Sequence, residues 1–208
     1  MNLTLGELAP ILIAVSFAAG LNVYATVATL GLLARADVLI LPPSLRLLES
    51  WPVIGACFVL FALEFVGDKI PVFDLLWNAL HTFVRVPVAA LLAYGATMHL
   101  SPEKQLVSAL LGGLIALAAH SGKTAVRVAV TPSPEPLSNI SLSLGEDVIA
   151  VFLVWFATRH PYWAAAIVLA LLAVILIFAG SVFRSLRALL RGAERVLMGE
   201  GAGSRPAA

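Results

Sequence analysis

Charge is what this sequence has least of. Only 12% of its 208 residues are Asp, Glu, Lys or Arg, about half the share found in an ordinary soluble domain. A chain of this length in water needs far more polar surface, so a soluble globular protein is excluded. Apolar residues make up 61%, and the mean hydropathy is +0.99. Lipid as the solvent removes the difficulty, because apolar side chains can then face outward. Cysteine is nearly missing as well. Cys57 stands alone inside an apolar run, which rules out a disulfide framework within the chain and reads as a small inert hydrophobe. The net charge is only +1, so the basic field that nucleic acid would require is lacking. Met1 to Gly6 contain no Lys or Arg. The charged start of a cleaved signal is therefore missing, and the first apolar run is expected to persist as a span.

What the sequence does have is six apolar segments. They run from about Leu8 to Leu33, Val53 to Val66, Val86 to Met98, Leu106 to Ala119 (with a more polar extension to Val130), Val148 to Thr158, and Tyr162 to Phe183. Only the first and last have the full length of about 20 residues. The predicted class is all-α, a polytopic membrane protein with about six transmembrane helices, some short, broken or re-entrant. One transmembrane domain is expected over residues 1–183. The residues from 184 to 208 form a basic amphipathic tail with a disordered end. Its arginines, Arg184, Arg187, Arg191 and Arg195, recur every three or four residues with leucines between them.

Those arginines put the tail in the cytoplasm by the positive-inside rule. Six spans then put the N-terminus there too. The inside segments hold nine Lys/Arg (Lys69, Arg85, Lys123, Arg127 and five in the tail), against Arg35, Arg46, Lys104 and Arg159 outside. The expected location is a cell membrane crossed several times, with membrane lipid as a partner and no nucleic acid.

Residues 8–98 and 106–183 read as a candidate 3+3 inverted repeat. Val53-Ile54 to Phe61-Ala62 resembles Val148-Ile149 to Phe156-Ala157. Gly20-Leu21-Asn22 and His120-Ser121-Gly122 would be matching breaks in the first helix of each half, a pattern that points to transport sites.

Four polar clusters carry the candidate chemistry. In the first, Glu64 and Asp68 are four apart and share a helical face, with Lys69 and Asp74 following. A carboxylate at bilayer depth costs about 2.5–3.5 kcal/mol and calls for a partner or a wet cavity. Lys69 is a candidate partner, but it and Asp74 read better as charges of a capped helix end at the headgroup level. In the second, Asp74, Asn78, His81 and Arg85 line one face. This is either an interfacial helix anchored by Trp77 or a re-entrant element presenting His81 and Arg85 to a cavity. In the third, His120, Lys123 and Arg127 share a face and suit an anion, or pair with Glu64, Asp68, Glu146 or Asp147. Gly122-Lys123-Thr124 imitates the end of a phosphate loop. The earlier glycine that motif needs falls at Leu117, and no strand precedes it, so nucleotide binding is rejected. The fourth runs from Thr131 to Asp147. Its prolines predict a stiff extended loop, Ser143 and Glu146 a capping box with Asp147 at the next helix's start, and Asn139 and Ser141 polar groups without a capping role. No spacing specifies a metal site, no nucleophile elbow is present, and no cofactor is expected.

Glu64-Phe-Val-Gly-Asp68-Lys69-Ile-Pro71-Val-Phe-Asp74, His81-Thr-Phe-Val-Arg85, His120-Ser-Gly-Lys123-Thr-Ala-Val-Arg127, Ser138-Asn139 and Ser143-Leu-Gly-Glu146-Asp147 together resemble a family of small bacterial membrane proteins known as domain of unknown function 4126. The resemblance covers roughly residues 10 to 183. It implies multi-pass membrane residence and no particular activity.

The leading functional expectation is a small transporter or channel, not an enzyme, acting as a homo-oligomer. Lys69, Arg85, Lys123 and Arg127 favour an anionic solute or lipid head group. Glu64 and Asp68 favour proton or cation coupling instead. A structural or assembly protein is the alternative. An enzyme acting on a lipid phosphate, with His81 or His120 as acid or base, comes third.

Overall fold

A computed structural model describes the backbone of residues 5–67, 71–130 and 136–197, and the side chains of residues 6–67, 80–126, 140–181 and 184. Among these the chain is all helical. Seven α-helices follow in order: α1 (Leu5–Leu21), α2 (Val23–Arg35), α3 (Trp51–Gly67), α4 (Pro71–Ala96), α5 (Pro102–Val130), α6 (Pro136–Arg159) and α7 (Pro161–Leu197). A short 3-10 helix, Pro43–Glu49, leads into α3 at a bend of 62°. Proline opens four of the α-helices, α4 to α7. At a first helical position its missing N–H costs nothing and its fixed φ already fits. The chain forms two compact units, Met1–Leu172 and Ala173–Ala208.

By length and apolarity, three helices among the described residues can cross a membrane: Pro102–Val126, Ile140–Arg159 and Pro161–Ser181. A fourth is added if the bent pair at α3 acts as one span. The outer surface is apolar. Phe83, Leu110, Leu114, Val148 and Trp163 are exposed, whereas Glu64, Arg85, Lys123 and Asp147 are buried. This arrangement inverts the pattern of a soluble protein, and the molecule is a membrane protein.

The helices extend well beyond the apolar runs. Where lipid cannot satisfy backbone groups, a helix continues through polar residues instead of ending at them. This corrects three expectations. α4 is one continuous helix from Pro71 to Ala96, so the stretch from Asp74 to Arg85 is not a separate element from the apolar run that follows it, and His81 and Arg85 are buried. α5 runs unbroken through His120-Ser121-Gly122, so the second of the two matching breaks does not exist; a single Gly costs a helix only about 1 kcal/mol. α6 begins at Pro136, so most of the expected proline loop is helix. Ser143 is therefore a buried mid-helix residue and not a cap.

The first break is real. Asn22 alone between α1 and α2 is extended, at φ −148° and ψ 107°. Its side-chain Oδ1 accepts from the Ala25 backbone N–H at 2.9 Å, capping α2. Its own N–H still bonds Ala18 O. The carbonyls of Gly20 and Leu21, next to the break, are thereby left for other donors.

In the first unit α1 packs against α2, α4, α5 and α6, and α4 lies along α5. Small residues spaced by four make this close approach feasible: Ser16 and Gly20 on α1, Ala89 and Ala93 on α4, Gly112 and Ala116 on α5. A Cβ at Gly20 would lie 2.4 Å from the Ala116 carbonyl oxygen and 2.7 Å from the Ala119 Cβ. Gly20→Ala is accordingly expected to cost about 1–3 kcal/mol by overpacking. Gly55→Ala, with nothing within 4 Å, should be neutral or stabilising by up to about 1 kcal/mol. Thermal melting of the two purified variants checks the contrast.

Candidate functional site

The faces that bring α4 and α5 together also aim their charges. On α4 the small-residue face Ala93–Ala89 reaches Arg85 in one more turn. On α5 the face Gly112–Ala116 reaches His120 and then Lys123. On α6 the buried positions Ser143, Asp147, Ala150, Val154 and Ala157 recur at spacings of four and three. On α3 the buried positions are Ile54, Cys57, Glu64 and Gly67. Each helix thus carries its polar residue on the side it buries, and four of them meet at the α1–α2 break.

Arg85 is the centre of the cluster. It is fully buried and forms a salt bridge through Nη2 with Glu64 Oε1. Its Nη1 donates to His120 Nδ1 at 2.8 Å and to the Gly20 carbonyl at 3.3 Å. A guanidinium has no acceptor, so His120 Nδ1 must be the accepting nitrogen. That makes His120 a neutral imidazole with its proton on Nε2. Lys123 Nζ pairs with Glu146 Oε2 at 2.9 Å, donates to the Leu21 carbonyl at 3.2 Å and lies 3.9 Å from Glu64 Oε1. Asn22 Nδ2 donates to Asp147 Oδ1 at 2.8 Å. His81, one turn before Arg85, meets Tyr24 edge to face with ring centroids 5.6 Å apart.

The break therefore has two dressed ends. Arg85 and Lys123 bind the carbonyls at the C-terminal end of α1, where the helix dipole is negative. Asp147 is held beside the N-terminal end of α2, where the dipole is positive. Glu64 Oε2 and Arg85 Nε are buried and make no hydrogen bond among the described residues.

Of the residues singled out in the sequence, the fold brings together Glu64, Arg85, His120, Lys123, Glu146 and Asp147, with His81 adjacent through Tyr24. Glu146 is not a helix cap; it is the ion-pair partner of Lys123, one of the pairings the sequence left open. Among the described residues Glu64 pairs with Arg85, a partner the sequence did not name. Asp68 and Lys69 lie outside the described residues, as do the side chains of Asp74, Arg127 and Asn139. Sequence reasoning took Asn22 only as part of a break and passed over the carbonyls of Gly20 and Leu21. A lone amide inside an apolar run of about 26 residues was the available signal. Among the described residues no group of three or more His, Cys, Asp or Glu is arranged to hold a metal ion.

The family described as Domain of unknown function (DUF4126) matches residues 10–180. The chain belongs to that family. The matched stretch takes in every residue of the cluster, from Gly20 to Asp147. No curated protein and no solved structure matches this DUF4126 chain.

Proposed function

We propose that this protein conducts or transports a small ion or ionic solute across a membrane, with the charges at the Asn22 break as its site. One observation carries the reading. Two cations and three carboxylates, from α3 to α6, converge in an apolar bundle on a helix interrupted by a single extended residue. Buried charge is expensive in lipid and marks ion pathways. A break in an otherwise apolar helix supplies the backbone oxygens that such sites use. The reading includes six crossings, with α1 and α2 together as one, both termini in the cytoplasm, and assembly as a homo-oligomer.

A second reading, a structural or assembly protein, draws support from how fully Arg85 and Lys123 are engaged by protein groups. A buried pair of that kind also fixes which helices associate.

Reconstitution separates the two. Purified protein in liposomes is expected to dissipate an imposed gradient of a monovalent ion or of protons, and Lys123→Met to abolish that flux. A wild-type protein that leaves proton, cation, anion and phospholipid distributions unchanged sinks the transport reading.

A further inference from the structure

The oxygens around Lys123 form a cation shell. Its ammonium takes the Leu21 carbonyl at 3.2 Å, Glu146 Oε2 at 2.9 Å and Glu64 Oε1 at 3.9 Å, three oxygens from three helices. Oxygen donors suit hard cations and ammonium alike. The Leu21 carbonyl is an acceptor prepared in advance, because the break at Asn22 removes its place in the helical ladder. It also lies at the negative end of the α1 dipole.

A further observation points to positive charge. Glu64 is 1% exposed, and its second oxygen, Oε2, has no hydrogen-bond partner among the described residues. The two cations also differ. Arg85 is held by Glu64, His120 and the Gly20 carbonyl through a rigid fork, whereas Lys123 presents a point charge on a flexible four-carbon stem. A point charge on a flexible stem can leave its acceptors at less cost than a fork held by three partners.

We infer that the Asn22 break is a binding site for a monovalent cation, with the Lys123 ammonium as its tethered resident occupant. A free alkali or ammonium ion takes the same oxygens when that side chain leaves. The inference names the ligand class for the transport reading above and rests on it only for the site's use.

The test removes the resident cation and supplies a free one. Lys123→Met, purified in detergent at constant ionic strength, is compared in choline, sodium, potassium, ammonium and methylammonium chloride. In choline it should melt well below wild type. One or more of the small cations should restore it saturably, raising Tm by roughly 5–10 °C at a hundredfold excess over Kd. Wild type should need at least about tenfold more of the same cation for any rise, because the tethered ammonium competes. Lys123→Arg should show no saturable rise. In Lys123→Met with Glu146→Gln the response should disappear.

A Lys123→Met protein that ignores all four small cations overturns the inference, whether it is folded or unfolded in every salt. So does one that responds equally to choline, or a double variant that keeps the full response. Cation rescue without flux in liposomes keeps the site and removes the transport reading. Flux by the wild type without cation rescue does the reverse.

Discussion

Replacing Arg85 with methionine is expected to cost about 3–5 kcal/mol of stability, a loss large enough to prevent folding in most detergents. The change removes the nearer counter-charge of Glu64, which is 1% exposed, and leaves it, among the described residues, Lys123 at 3.9 Å. A buried charge that loses its closest partner is among the costliest single defects a protein can carry. The same change takes a donor from His120 Nδ1 and from the Gly20 carbonyl. Arg85→Lys should recover only part of the loss, because a point charge cannot reach three partners from one fork. The pair Glu64→Leu with Arg85→Met is the informative control. Replacing both partners of a buried ion pair by apolar groups is often neutral or stabilising, so the double variant should melt within a few degrees of wild type. A double variant no more stable than Arg85→Met alone would show that the pair's other contacts carry the energy. Thermal melting of the three variants beside wild type gives the comparison.

Asn22→Ala is the second large effect, expected at about 2–4 kcal/mol. One part is the lost cap on α2, worth about 0.5–2 kcal/mol. The other is the lost donor to Asp147, a buried hydrogen bond to a carboxylate, worth about 1–3 kcal/mol. Asn22→Asp keeps a capping oxygen but sets a second carboxylate against Asp147. It should be at least as damaging as the alanine, and it should regain stability if Asp147 is changed to Asn. Melting of Asn22→Ala, Asn22→Asp and Asn22→Asp with Asp147→Asn decides between cap and cross-link as the dominant part. An Asn22→Asp protein as stable as wild type would mean the link to Asp147 contributes little.

How much of this was legible before the fold was known varies from residue to residue. The apolar segments overlapped each α-helix, with α1 and α2 sharing the first, and missed the 3-10 helix, because composition reports the solvent and not the backbone. They misjudged helix length. Asp74 to Arg85 and Pro136 to Asp147 read as interfacial or extended, since polar residues and prolines end helices in water. In this bundle Arg85, Glu146 and Asp147 find partners inside, and Pro136 begins a helix where it was expected to prevent one. Helical spacing put His120 and Lys123 on one face correctly. Glu64 and Glu146 were among the partners left open for Lys123, but the choice among them was not legible, because which helix lies opposite is a tertiary fact. Lys69 was the neighbour of Glu64 in sequence, and Arg85 is its partner in space. The break at Asn22 was visible as polarity inside an apolar run. The one at His120 was polarity of the same kind, yet α5 stays intact there, with His120 bonded from Arg85 and Lys123 from the side to Leu21. Polarity in a span marks a need for partners, and only sometimes a need to unwind.

The chain order of the ion pairs bears on how such a protein is made. Glu64 and Arg85 sit on consecutive helices, α3 and α4, and so do Lys123 and Glu146, on α5 and α6. A helix entering the bilayer alone with one of these charges would meet a barrier of about 2.5–3.5 kcal/mol. Entering as hairpins, each pair arrives already neutral. Asn22 and Asp147, 125 residues apart, close the ring only after α6 has been synthesised. A hairpin route would therefore carry in two neutral ion pairs and leave the contact between Asp147 and Asn22 to be made last.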